Sequence, residues 1–211
     1  GYFAAAVRVT APDAATAPHA AASEPQRLSA AMRLAGGAAG EALWQFPLPA
    51  HLDTARPADL LAAWDKLHAD RAADQLMRQL VLAIRVWQPD VVVTDVADPR
   101  HPVEGLIAEA AREAFQRAAD PKAFPEQIEQ LGLKPWSARK LYHGTTQAVT
   151  APVVIDTTAV QRLLDDSPRE FATPLAGLLS DDPVTLANQR CYRLAAGRLP
   201  GADKHFQLMQ G

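Results

Sequence analysis

Gln88-Pro89-Asp90-Val91-Val92-Val93-Thr94-Asp95-Val96-Ala97-Asp98-Pro99-Arg100-His101-Pro102-Val103-Glu104 is the stretch that decides the fold. Its three consecutive valines make a continuous β-branched run, which suits a central parallel strand covered on both faces. Asp98-Pro99 interrupts that run with turn residues. From Pro102 to about Ala118, Leu106, Ala110, Ala114 and Phe115 recur at helical spacing. The order is therefore strand, polar loop, helix. In α/β proteins, ligands bind at that end of a strand. Here the loop gathers Asp95, Asp98, His101 and Glu104 within ten positions, all able to bind a metal or move a proton.

The flanking sequence extends the same alternation. Leu60, Trp64, Leu67, Leu76, Leu80 and Ile84 mark an amphipathic helix from Arg56-Pro57 to Trp87, with a break expected near Ala69-Asp70. Upstream, Val7-Arg8-Val9-Thr10 reads as a short strand and Ala11 to Ala22 as a loop. Ser23-Glu24-Pro25 then opens a helix that Gly36-Gly37 ends. Leu43 to Leu48 reads as a strand closed by proline. Downstream, Pro125 to Trp136 holds a short helix, while Lys140-Leu141-Tyr142-His143 and Val153-Val154-Ile155 are strands. Thr158 to Arg198 reads as mainly helical, and the tail after Gly197 as loop. The expectation is an α/β fold in one domain over 1–211, a Rossmann-like three-layer arrangement with a mostly parallel sheet. Residues 158–211 form its mainly helical extension.

Composition narrows the function classes. The chain has 211 residues, 48% hydrophobic, with a formal net charge of -3. No dense Lys/Arg patch is present, so nucleic acid is not an expected partner. No apolar stretch is long enough to span a bilayer. The start, Gly1-Tyr2-Phe3-Ala4, lacks a basic leader and an initiator Met. The expectation is a soluble protein, cytoplasmic rather than exported, and a processed or partial chain. Cys191 is the single cysteine, which excludes an internal disulfide.

The loop chemistry has two readings. Carboxylate and imidazole donors suit zinc or a similar divalent ion. His101 and Glu104, three apart where a helix begins, can face one point, and a helix N-terminus favours an oxyanion. Alternatively, Asp98 caps the helix, Glu104 occupies its acidic first turn and His101 is a surface residue. His143, at the end of a strand, either lines the same cleft or lies exposed in a loop. Trp136 offers a stacking face for a sugar or simply packs against the core.

Ile84-Arg85-Val86-Trp87-Gln88-Pro89-Asp90-Val91-Val92-Val93-Thr94 and Asp98-Pro99-Arg100-His101-Pro102 together resemble the second metal motif of the LmbE/PIG-L family, zinc-dependent N-deacetylases of N-acetylglucosamine-type conjugates. The likeness continues through Ala111-Arg112-Glu113-Ala114-Phe115, Ala119 to Pro125, Leu133-Lys134-Pro135-Trp136 and Lys140-Leu141-Tyr142. It covers Leu43 to His143 well and weakens beyond Val154. The resemblance implies a zinc cofactor, a small-molecule or glycan substrate, and hydrolysis of a sugar-borne acetamide. It gives His101 the catalytic role of steadying the oxyanion and places Glu104, with Asp95, in the metal shell. Asp98, Trp136 and His143 become the substrate-binding residues. Glu104 stands where the family motif, His-Pro-Asp-His, has a ligand histidine. The family's first motif, Ala-His-Pro-Asp-Asp, has no match in these residues. Either the chain begins downstream of that motif and of the first strand, or the motif is lost. The implied activity is thus a metal-dependent N-deacetylase if the motif lies upstream. The alternative is a catalytically degenerate relative that binds a glycan or a protein.

Overall fold

The computed structural model describes residues 3–11, 18–42, 48–49, 56–96, 102–147, 151–179, 184–205 and 207–210. The chain divides into two compact units, Gly1–Leu52 with Ile155–Gln189, and Asp53–Val154 with Arg190–Gly211, where the sequence leads one to expect a single domain.

In the first unit, β1 (Ala5–Arg8) pairs in parallel with β3 (Ala39–Ala42), and β2 (Thr10–Ala11) in parallel with β4 (Leu48–Pro49). Between them runs α1 (Pro18–Leu34). It begins earlier than Ser23, because Pro18 suits a first turn and the alanines that follow are strong helix formers. Most of the expected strand Leu43 to Leu48 lies outside the described residues. Gly40 lets α1 approach β3: a Cβ there would stand 2.8 Å from the Met32 side chain and 2.9 Å from the Leu28 carbonyl oxygen.

The second unit contains α2 (Pro57–Leu67) and α3 (Ala72–Trp87). The break between them falls where expected, at Ala69 and Asp70, both with left-handed backbone at φ 51° and 57°. Then come β5 (Val91–Val96), α4 (Pro102–Arg117), the short α5 (Pro125–Glu129) and β6 (Lys140–Thr145). β7 (Val153–Asp156) and β8 (Gln189–Gly197) complete a four-stranded sheet in the order β5-β6-β8-β7. β5 and β6 are parallel, whereas β6 and β8 are antiparallel, so the sheet is mixed.

β8 corrects the sequence reading of 158–211. That stretch holds one nine-residue helix, α6 (Pro168–Ala176), and a nine-residue strand. Ser167 caps α6 by accepting from the Glu170 N–H at 3.1 Å, and proline occupies the first turn. Gln189–Gly197 extends because β6 offers it an antiparallel partner, a long-range pairing that local periodicity does not report.

The core below α4 joins Phe115, Ala138 and Leu141, with Val92, Trp136, Ala195 and Ala196 packed against them. Val92 pairs with Leu141, so these two residues share the sheet face that α4 covers.

Arg85, on α3, is fully buried. Its guanidinium donates to the carbonyl oxygens of Ala118 (3.2 Å), Phe124 (3.2 Å), Arg117 (3.4 Å), Asp120 (2.8 Å) and Ala123 (2.8 Å), and to Gln127 Oε1 (3.1 Å). Arg117 and Ala118 lie at the C-terminal end of α4, where helix carbonyls lack intrahelical donors. The cation also meets the negative end of the helix dipole. Gln127 completes the clamp by donating to the Arg78 carbonyl at 2.9 Å. Burial lowers the Arg85 pKa, a desolvation offset by Glu126 and Asp120.

Arg85→Ala strands these acceptors in the interior and should lower stability by about 3–5 kcal/mol in urea unfolding. Arg85→Lys should recover less than half of that, because an ammonium lacks the planar fork. At the β5–β6 seam, a Cβ on Gly144 would meet the Val96 nitrogen at 3.0 Å and Val96 Cγ2 at 3.1 Å. Gly144→Ala should therefore cost about 1–3 kcal/mol in the same measurement.

Candidate functional site

The carboxyl ends of β5 and β6 and the start of α4 form the candidate site. The parallel ladder is regular from Val91 opposite Lys140 to Thr94 opposite His143, and Val96 then meets Gly144. Asp95 is the extra residue of a bulge, a device that re-aims a strand end. Its side chain is 86% exposed, lies 3.9 Å from Arg190 Nη1 and accepts from the Val96 N–H at 2.9 Å.

His143 lies on the α4 face, because Thr94, His143 and Arg193 occupy matching positions on three adjacent strands. Its imidazole is half-buried, and Nε2 is sealed from solvent without a hydrogen-bond partner. Burial lowers its pKa, reinforced by Arg193 and Arg112 and opposed by Glu109. Arg112 and Glu109, three apart on α4, form an ion pair above this row. Gly144 pairs with Tyr192, whose hydroxyl pKa is raised by burial and lies within the fields of Arg190 and Asp95.

Glu104 occupies the first turn of α4 and is half-buried. Asp98 and His101 lie outside the described residues. Trp136 is placed elsewhere: its indole N–H donates to the Pro89 carbonyl at 2.8 Å, at the opening end of β5, and its ring packs against the core. The structure thus gathers Asp95 and His143 at one end of the sheet and holds Trp136 at the other.

Asp95 and Glu104 offer oxygen donors of the kind zinc accepts. Among the described residues, no three His, Cys, Asp or Glu side chains converge as a metal site would require. These residues alone therefore do not fit zinc. Sequence reading missed Arg190, Tyr192 and Arg193 because it assigned their segment to helix. It passed over Glu109 and Arg112 as an ordinary solvent-facing pair.

Because folding lowers the His143 pKa, the unfolded chain binds this proton more readily. Stability should be unaffected by His143 above the ordinary histidine range. It should fall as pH drops through that range and level off below the folded-state pKa. His143→Gln should flatten this portion of a stability–pH curve measured by urea unfolding; an unaltered curve would mean that the buried imidazole is not its source.

No family model and no curated protein sequence matches the chain. Among solved structures, it is similar to the N,N'-diacetylchitobiose deacetylase from Pyrococcus horikoshii, determined in complex with its inhibitor MPG. The match has a TM-score of 0.56 and 15% identity, and covers 98% of this chain and 76% of that one. At this identity the likeness is one of fold: a mixed α/β architecture with parallel strand pairs, shared with a deacetylase.

Proposed function

We propose that the chain is a de-N-acetylase-type amide hydrolase domain acting on a small N-acetylated sugar conjugate. The observation that carries this reading is the placement of Pro102–Glu104 in the first turn of α4, after the loop that follows β5. The resemblance puts the second metal motif at this position, and the fold shared with a chitobiose deacetylase supports it. His101 directly precedes the helix. As catalytic residue it would steady the oxyanion formed when water adds to the acetamide carbonyl. The unpaired N–H groups of the first turn of α4 would add to that stabilisation. Asp98 and His143 are the substrate-side groups of this reading. Trp136 is less suited, because its indole is committed to Pro89. Zinc dependence follows from the resemblance alone.

The second reading is a non-catalytic domain that binds a glycan or a protein. It is favoured by the carboxylate of Asp95 facing Arg190, and by the lack of three converging donors among the described residues. The absence of an Ala-His-Pro-Asp-Asp match in the 211 residues points the same way.

Amine release from an N-acetylglucosamine-type conjugate, measured on the full encoded polypeptide with and without added zinc, separates the two. The hydrolase reading expects release, and His101→Ala should lower kcat by about 10²–10³-fold while leaving bound metal unchanged. An unaltered kcat in that variant would refute the role given to His101. If no amine appears at any zinc concentration while calorimetry still detects sugar binding, the domain is a binding module.

A further inference from the structure

Lys140 opens β6 and is 1% exposed. Among the described residues no carboxylate pairs with it. Its ammonium instead donates to two backbone carbonyl oxygens near the end of the chain, those of Leu208 and Gln210, the latter at 2.6 Å. It also lies 5.7 Å from the centre of the Tyr142 ring, two residues along the same face of β6. Gln207 to Gln210 form a turn, closed by the Gln210 N–H donating to the Gln207 carbonyl at 3.2 Å. The side chains of Gln207, Met209 and Gln210 are exposed and Leu208 is half-buried. The turn therefore brings little apolar surface to its seat, and the charge-assisted bonds from Lys140 are its notable attachment.

The seated arrangement is also under stress. The Tyr142 hydroxyl is buried without a hydrogen-bond partner. The Lys140 ammonium is desolvated, which lowers its pKa. Water admitted at this place would relieve both groups.

We propose that Gln207–Gln210 is a detachable strap latched by the Lys140 ammonium, and that lifting it exposes Lys140 as an amine open to acylation. An activated acyl ester would then form an amide. The Lys140 nitrogen bonds to the acyl carbon, the bond to the alcohol or thiol leaving group breaks, and the amine proton departs with that group. The amide carries no charge and cannot re-form the latch. The strap lies at the opening end of β6, away from the carboxyl end that holds the candidate site, so its release is independent of the hydrolase reading.

Competitive labelling with N-hydroxysuccinimide acetate tests this, with Lys122 and Lys134 as exposed internal standards. In the full chain Lys140 should label at least about tenfold more slowly than either. Removing residues 207–211 should bring its rate to within about threefold of theirs. Hydrogen exchange gives the second arm: Lys140→Met should abolish protection of Gln210 while protection across α3 persists. Lys140 labelling as slowly without the strap as with it would overturn the proposal. So would Gln210 protection surviving Lys140→Met. Should Lys140→Met fail to fold, the truncated chain decides alone.

Discussion

The second unit depends on one buried cation. Arg85 does what a hydrophobic side chain cannot: it supplies donors to a run of carbonyls that leaves α4 and turns toward α5. That connection contains left-handed Phe124 and too little regular structure to satisfy its own backbone. Without a donor inside, those oxygens would have to face water, and the connection could not pack against α3. Arg85 thereby sets the lower end of α4 relative to α3. Since α4 is a stiff rod, its upper end, where Pro102 and Glu104 lie, is set with it. The candidate site thus depends on a group roughly the length of a helix away.

The sheet supplies the complementary constraint. β5 fixes the height at which the loop leaves, through a ladder with β6 that is regular until Thr94. Leu141 and Val92 anchor that ladder to Phe115 on α4. Polar groups then appear on both faces just where the apolar layer ends: Thr94, His143 and Arg193 on one, Tyr192 and Gly144 beside Asp95 on the other. A polar strand end beside an apolar sheet centre is the general arrangement of ligand-binding α/β folds.

The valine run of β5, the spacing of α4 and the interruption at Ala69-Asp70 were legible because each is local: periodicity and left-handed turns are written in neighbouring residues. β8 was not, since a strand that exists to pair with β6 depends on residues some fifty positions away. The place of Arg85 was equally hidden, because an arginine in an amphipathic helix reads as solvent-facing, and only the incoming carbonyls make its burial tolerable. Trp136 was read as a possible sugar platform from its sequence proximity to the loop; the hydrogen bond to Pro89 ties it to the opposite end of the strand. Of the site itself, the positions of Asp95, Glu104 and His143 were legible. The arginines around them came with β8 and the outer face of α4.

The bulge at Asp95 also has an evolutionary meaning. Side chains on a strand alternate between faces, so one inserted residue reverses the facing of everything that follows. A single-codon deletion at Asp95 would restore an unbroken ladder and present the start of the next loop to the other side of the sheet. Loop length and loop direction are therefore separable heritable traits here. A lineage could exchange one binding face for the other by losing a single amino acid, with β6, α4 and the Arg85 clamp left in place.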